Sequence, residues 1–127
     1  MCDARAVGMN PKAEELKART KKFALDVIRF VSSLSRIPAA DVMGRQLLKA
    51  GTSVAANYRS ACRSRSHAEF AARIGVVLDE ADQSELWLEL FEESKLPSVT
   101  VPVPLLQESR ELRAIFAASN LTARGRR

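Results

Sequence analysis

Residues 70–91 read FAARIGVVLDEADQSELWLELF, and the spacing of their apolar side chains indicates the architecture of the chain. Apolar or small residues recur at alternating steps of four and three, which places them along one side of an α-helix. These positions are Phe70, Ile74, Val77, Ala81, Ser84, Leu88 and Phe91. Immediately upstream, Ser66 and Glu69 form a capping box, in which the Ser66 hydroxyl accepts from the third helical amide and Glu69 reaches back to the cap amide. A helix that begins after Ser66 and buries one seam is therefore predicted.

Three further segments carry the same spacing and predict three more helices. The first covers about residues 11–36 and ends where Ile37-Pro38 forces a turn. The second covers about residues 39–63, and the last covers about 103–121 after an extended, proline-rich linker at 97–104. The inward positions are Leu16, Thr20, Phe23, Val27, Phe30 and Leu34, then Met43, Leu47, Ala50, Val54, Asn57 and Ala61, and finally Leu105, Leu112 and Phe116. Because short connections join long helices, an all-α, antiparallel up-down-up-down four-helix bundle is predicted.

The chain is expected to form one domain over residues 1–127. Residues 1–10 and 123–127 are expected to be flexible, as chain ends often are. Gly44 and Gly51 weaken the second helix, but they allow a neighbouring backbone to come close.

Cysteine usage and hydropathy indicate a cytoplasmic protein. Cys2 and Cys62 lie far apart, so a disulfide framework is not expected, and Cys62 is predicted to be a small buried apolar residue. No segment resembles a signal peptide, and no apolar run approaches the roughly 20 residues that span a bilayer.

Catalytic and metal-binding patterns do not emerge from the sequence. His67 stands alone, without a second histidine or a cysteine at ligand spacing, so it is predicted to be structural. Neither a phosphate-cradling glycine loop, nor a dinucleotide fingerprint, nor a nucleophile elbow is present. We therefore expect no enzyme activity, no metal and no cofactor.

Charge is strongly segregated along a chain of net charge +5. Residues 67–95 hold eight carboxylates against two cations, a segment charge of −6, whereas residues 41–66 hold five cations against one carboxylate, a charge of +4. One face of the second helix carries Arg45, Lys49, Thr52, Ala56, Arg59 and Arg63, again at steps of four and three, and Arg65 follows closely. Small residues between cations form a basic stripe that could lie along a phosphate backbone. On the first helix, Lys17 and Lys21 are assigned to the solvated face opposite its seam.

A second interpretation of the basic stripe stays open. Residues of the third helix form a matching acidic stripe, made of Asp82, Glu85, Glu89 and Glu92, that could pair with it within or between subunits. A core position is expected for Trp87, although Trp87 beside Leu90 and Phe91 also widens the apolar arc of the third helix and so favours a subunit contact.

Two segments carry a resemblance to a known family. Residues 46–57, QLLKAGTSVAAN, and residues 63–70, RSRSHAEF, resemble the bacterial four-helix bundle proteins encoded within intervening sequences of 23S ribosomal RNA genes. The family includes the accessory variability protein of diversity-generating retroelements, a basic pentamer that works with a reverse transcriptase and nucleic acid. The resemblance covers about residues 20–95. It implies the bundle fold, a homopentameric ring, and nucleic acid with a reverse transcriptase as partners.

The leading hypothesis from the sequence is a non-catalytic, oligomeric nucleic-acid-binding protein, with RNA as the expected ligand. Its binding residues are predicted to be Arg45, Lys49, Arg59, Arg63 and Arg65. Because few exposed aromatic side chains are expected, backbone and shape would be read rather than stacked bases. The alternative is a structural or adaptor oligomer that uses its charges in subunit contacts and binds a protein partner without nucleic acid.

Overall fold

The computed structural model describes residues 11–125, which form four α-helices and no strand. The helices are α1 (Pro11–Ser32), α2 (Pro38–Ala61), α3 (His67–Glu93) and α4 (Val103–Gly125). They pack as a four-helix bundle, in agreement with the predicted all-α class. Residues 1–10 and 126–127, both within the segments predicted to be flexible, lie outside the described residues. No helix between residues 11 and 125 has the length and apolar character needed to cross a membrane.

Two helix ends differ from the prediction. Helix α1 ends at Ser32 rather than near residue 36, and the Ser33 hydroxyl donates to the Phe30 carbonyl at 2.7 Å. Such a local bond competes with continued helix. Helix α4 continues to Gly125, four residues beyond its predicted end near residue 121. Ala123 is buried, and its carbonyl accepts from His67 Nε2 at 2.7 Å, which holds the end of α4 against the start of α3.

The core follows the predicted seams most closely in α3, where all seven seam positions are buried. Aromatic pairs extend the core between helices: the rings of Phe30 and Phe91 meet edge to face at 5.3 Å, and those of Tyr58 and Phe116 lie 5.4 Å apart. Each large apolar side chain buried here contributes about 1.5–3 kcal/mol relative to exposure. In α4 the prediction missed three buried residues, which are Leu106, Ser109 and Ala123.

Helix α2 lies very close to α1 because two of its inward positions are glycine. A Cβ at Gly51 would stand 2.9 Å from Val27 Cγ2, and one at Gly44 would stand 3.3 Å from Leu34 Cδ1. The predicted close approach at these glycines is therefore confirmed, and it sets which surface of α1 adjoins α2.

The start of α3 is anchored as predicted, with one change. The Ser66 hydroxyl accepts from the Glu69 amide at 3.1 Å, which confirms the cap. The Glu69 carboxylate accepts from the amide of Arg65 at 2.6 Å, one residue before the expected cap amide. Its other oxygen binds Arg73 at 2.8 Å, and Arg73 also donates to the hydroxyl and carbonyl of Ser60. The Arg65 amide and, after it, the Arg73 guanidinium lower the pKa of Glu69, although partial desolvation opposes them.

Candidate nucleic-acid interface

The predicted basic residues are all exposed. Arg45, Lys49 and Arg59 lie on α2, whereas Arg63 and Arg65 lie in the turn that follows it, because the helix ends at Ala61. From residue 45 to residue 63 an α-helix would span about 27 Å at 1.5 Å per residue. The predicted basic residues are therefore spread along an extended surface rather than clustered at one site.

Two of these cations form a groove with lysines from α1. A cavity of about 370 Å³ opens between the helices and is lined by Lys17, Lys21, Arg59 and Arg63. Thr52, Ala55 and Ala56 complete its lining. We call this the α1–α2 groove. Arg45, Lys49 and Arg65 do not line it.

The spacing of α1 did not predict its contribution to this groove. Lys17 and Lys21 were predicted to lie on the solvated face of α1, opposite its seam. Lys17 and Lys21 are four residues apart, as are Arg59 and Arg63. This matching spacing is only a weak indication that the two pairs line one groove. The face of α1 that adjoins α2 depends on the contact between Val27 and Gly51. The spacing of apolar residues within a single helix does not predict a contact with another helix.

The charges of the groove are only partly compensated. Lys17 Nζ lies 2.9 Å from a carboxylate oxygen of Glu14. Among residues 11–125, Lys21, Arg59 and Arg63 form no ion pair with a carboxylate. Four cations facing one carboxylate create a positive potential that attracts anions.

The acidic stripe has a different environment. Glu85 accepts from Arg113 Nε at 2.7 Å, and Arg110 lies 3.8 Å from Glu85 and 3.6 Å from Glu89. The hydrogen bond that Arg113 donates to Glu85 raises the pKa of Arg113. Both arginines belong to α4. For Glu85 and Glu89 the predicted pairing with the basic stripe inside one subunit is therefore wrong, because α3 turns these carboxylates toward α4 rather than α2.

The other candidate side chains are buried, partly buried or hydrogen-bonded within the fold. Cys62 is buried, as predicted, and His67 joins α3 to α4 through Ala123. The Asn57 side-chain amide donates to the Ser53 carbonyl at 2.9 Å, so it has a hydrogen-bond partner within α2. Trp87 is half-buried against the core. Within residues 11–125, no three His, Cys, Asp or Glu side chains are grouped so that they could hold a metal ion.

Comparisons with known proteins find a likeness among solved structures. No protein-family model matches the chain, and no curated protein matches it. Among solved structures, it resembles a protein of unknown function from the S23 ribosomal protein family of Bacteroides thetaiotaomicron, with 27% sequence identity and a TM-score of 0.75. The alignment covers 86% of this chain and 97% of that one. Over most of its length, the chain is thus similar in fold and sequence to a protein assigned to the S23 ribosomal protein family.

Proposed function

We propose that this chain is a non-catalytic, oligomeric nucleic-acid-binding protein that binds RNA, or RNA paired with DNA, through its basic helix face. The observation that carries the proposal is a difference in ion pairing between the acidic stripe and the basic stripe. Glu85 and Glu89 of the acidic stripe are paired with α4, whereas Arg45, Lys49 and Arg59 on α2 are exposed and form no ion pair within residues 11–125. Exposed cations spread along one helix suit a regularly charged phosphate backbone.

The proposal includes an antiparallel up-down-up-down arrangement of the helices. Contacts between sequential helices support it, because residue numbers increase along one helix as they decrease along its neighbour. The pairs are Leu34 with Gly44 and Val27 with Gly51 across α1 and α2, and His67 with Ala123 and Glu89 with Arg110 across α3 and α4.

A homopentameric ring in the bacterial cytoplasm is also part of the proposal. It rests on the resemblance to proteins encoded in 23S ribosomal RNA intervening sequences and to the accessory variability protein. A ring would present the basic face five times, and linked weak sites bind far more tightly than one. That resemblance also suggests a role as accessory to a reverse transcriptase.

An adaptor oligomer with a protein partner and no nucleic acid is a second candidate, and the outer surface of α3 favours it. Val76, Leu86 and Leu90 are 44%, 47% and 38% exposed, and Asp82, one helical turn from Leu86, is exposed as well. Apolar side chains bordered by charge are typical of protein contacts.

The test is RNA binding measured by fluorescence anisotropy between about 50 and 200 mM salt, with two unrelated structured RNAs. We expect similar affinities for both and a steep decrease with salt. The triple variant Arg45→Gln, Arg59→Gln, Arg63→Gln should flatten the plot of log affinity against log salt by roughly 0.7–0.9 for each lost contact. A matched control changes Lys22, Arg29 and Arg36 to glutamine, which removes the same charge elsewhere, and it should have a much smaller effect.

Light scattering on the same samples separates the two candidates. We expect a mass of five times 14.0 kDa for the wild type and for the triple variant. Failure of the wild type to bind RNA at low salt, together with dissociation of the variant and its rescue by charge reversal on α3, would favour the adaptor.

A further inference from the structure

We propose that the α1–α2 groove is a phosphate-binding site for one strand of nucleic acid, and that Glu14 competes with the ligand for Lys17. This inference rests on the proposed function for the identity of the ligand. It adds Lys17 and Lys21 to the binding residues and divides the basic stripe into two unequal parts.

The lining of the groove fits phosphate better than a base. Lys17 and Lys21 stand one turn apart on α1, and Arg59 and Arg63 have the same separation in sequence on the opposite wall. A guanidinium can donate two parallel hydrogen bonds to a phosphate, and an ammonium supplies a compact charge. Among residues 11–125, no aromatic side chain lines the groove, so none of them would stack on a base there.

The size and floor of the groove favour a single strand. Its 370 Å³ lies near the lower end of the range for ligand pockets, about 300–1,000 Å³. Ala55 and Ala56 have short side chains, which leave the backbone of α2 accessible from the groove. The Thr52 hydroxyl donates to the Leu48 carbonyl at 2.7 Å, so its hydrogen already has an acceptor in the helix. The four cations at the walls therefore supply the attraction, and a phosphate can approach the backbone of α2 closely.

Glu14 weakens one corner of the groove. Its carboxylate lies 2.9 Å from Lys17 Nζ, and the exposed fractions of the two side chains are 46% and 24%. A phosphate that binds Lys17 must replace this carboxylate or share the ammonium with it. Removal of the Glu14 charge should therefore strengthen binding, although most changes to a binding surface weaken it.

Two matched pairs of variants test the groove in the full chain. Lys21→Gln should weaken RNA binding about fivefold at 0.1–0.2 M salt, the value expected for one lost phosphate contact. Lys22→Gln removes the same charge from the next residue, where Lys22 pairs with Asp26 at 2.8 Å, and should change affinity little. Glu14→Gln should tighten binding about two- to fivefold, the range for release of an exposed ion pair. Glu15→Gln, the same change one residue along on an exposed side chain, should not.

Inorganic pyrophosphate provides a readout that does not depend on RNA. We expect it to shift the backbone amide resonances of Ala55 and Ala56, and Lys21→Gln should reduce that shift more than Lys22→Gln does. If RNA binds but the members of each pair behave alike, and pyrophosphate leaves these amides unmoved, the groove inference is overturned while the proposed function stands. If pyrophosphate shifts the amides but no RNA binds at low salt, the groove is a site for free phosphates and the proposed function fails.

Discussion

Helices α2 and α3 carry stripes of opposite charge at the same spacing, yet the structure places them in different environments. On α3, Glu85 is nearly enclosed, with a side chain 12% exposed, and it binds arginines of α4. On α2, Arg45, Lys49 and Arg59 extend into solvent. Helix α4 offers Arg110 and Arg113, three positions apart, to Glu85 and Glu89 of α3, which are four positions apart. Segments of opposite charge in a sequence therefore predict ion pairs, but they do not predict which helix provides the partners.

The largest expected effect concerns one glycine on each of the two helices. Gly51→Val should destabilise the fold by about 1–3 kcal/mol, because even a Cβ at this position would meet Val27 Cγ2 at 2.9 Å. On α3, Gly75→Ala should raise stability by up to about 1 kcal/mol, since the nearest atom to the added Cβ is Asn120 Oδ1 at 3.7 Å and alanine favours helix. Chemical denaturation measures both. Equal midpoints for the two variants would show that α1 and α2 are not in such close contact.

An intermediate effect is expected from the charged faces. Glu85→Gln should cost about 1 kcal/mol, a value reduced from that of a buried charged hydrogen bond because Arg113 is 39% exposed. Arg59→Gln should change stability by less than about 0.5 kcal/mol, as expected for an exposed residue that forms no ion pair with residues 11–125. Urea titration of both variants makes the comparison. A loss at Arg59 as large as that at Glu85 would reveal a subunit contact and strengthen the adaptor hypothesis.

The smallest effect on stability is expected at Glu69, which binds Arg73 of α3 where Arg73 contacts Ser60 of α2. The Arg65 amide, and then Arg73, lower the pKa of Glu69, so the folded state favours its ionised form. That stabilisation is present above the ordinary carboxylate pKa and is lost as the pH falls through the lowered value in the folded protein. Acidification should therefore lower the melting temperature of the wild type more than that of Glu69→Gln. Parallel melting curves from neutral to acidic pH would contradict this assignment.

The sequence predicted the fold more completely than the site. Spacing in residues 70–91 identified every seam position of α3, because a helix with one buried face must repeat apolar residues every three or four positions. The cap at Ser66 was predictable for a similar reason, since its geometry involves residues close in the chain. Arg45, Lys49 and Arg59 were expected on an exposed face, and they lie on one.

Properties that depend on the mutual rotation of two helices could not be derived in this way. Lys17 joins Arg63 in a groove, and Glu85 joins Arg113, only because helices far apart in the chain turn particular faces toward each other. Helix periodicity specifies which side chains point the same way along one cylinder. The packing of Val27 onto Gly51 and of α3 onto α4 specifies which cylinder they face, and that choice depends on the shapes of all the buried side chains together.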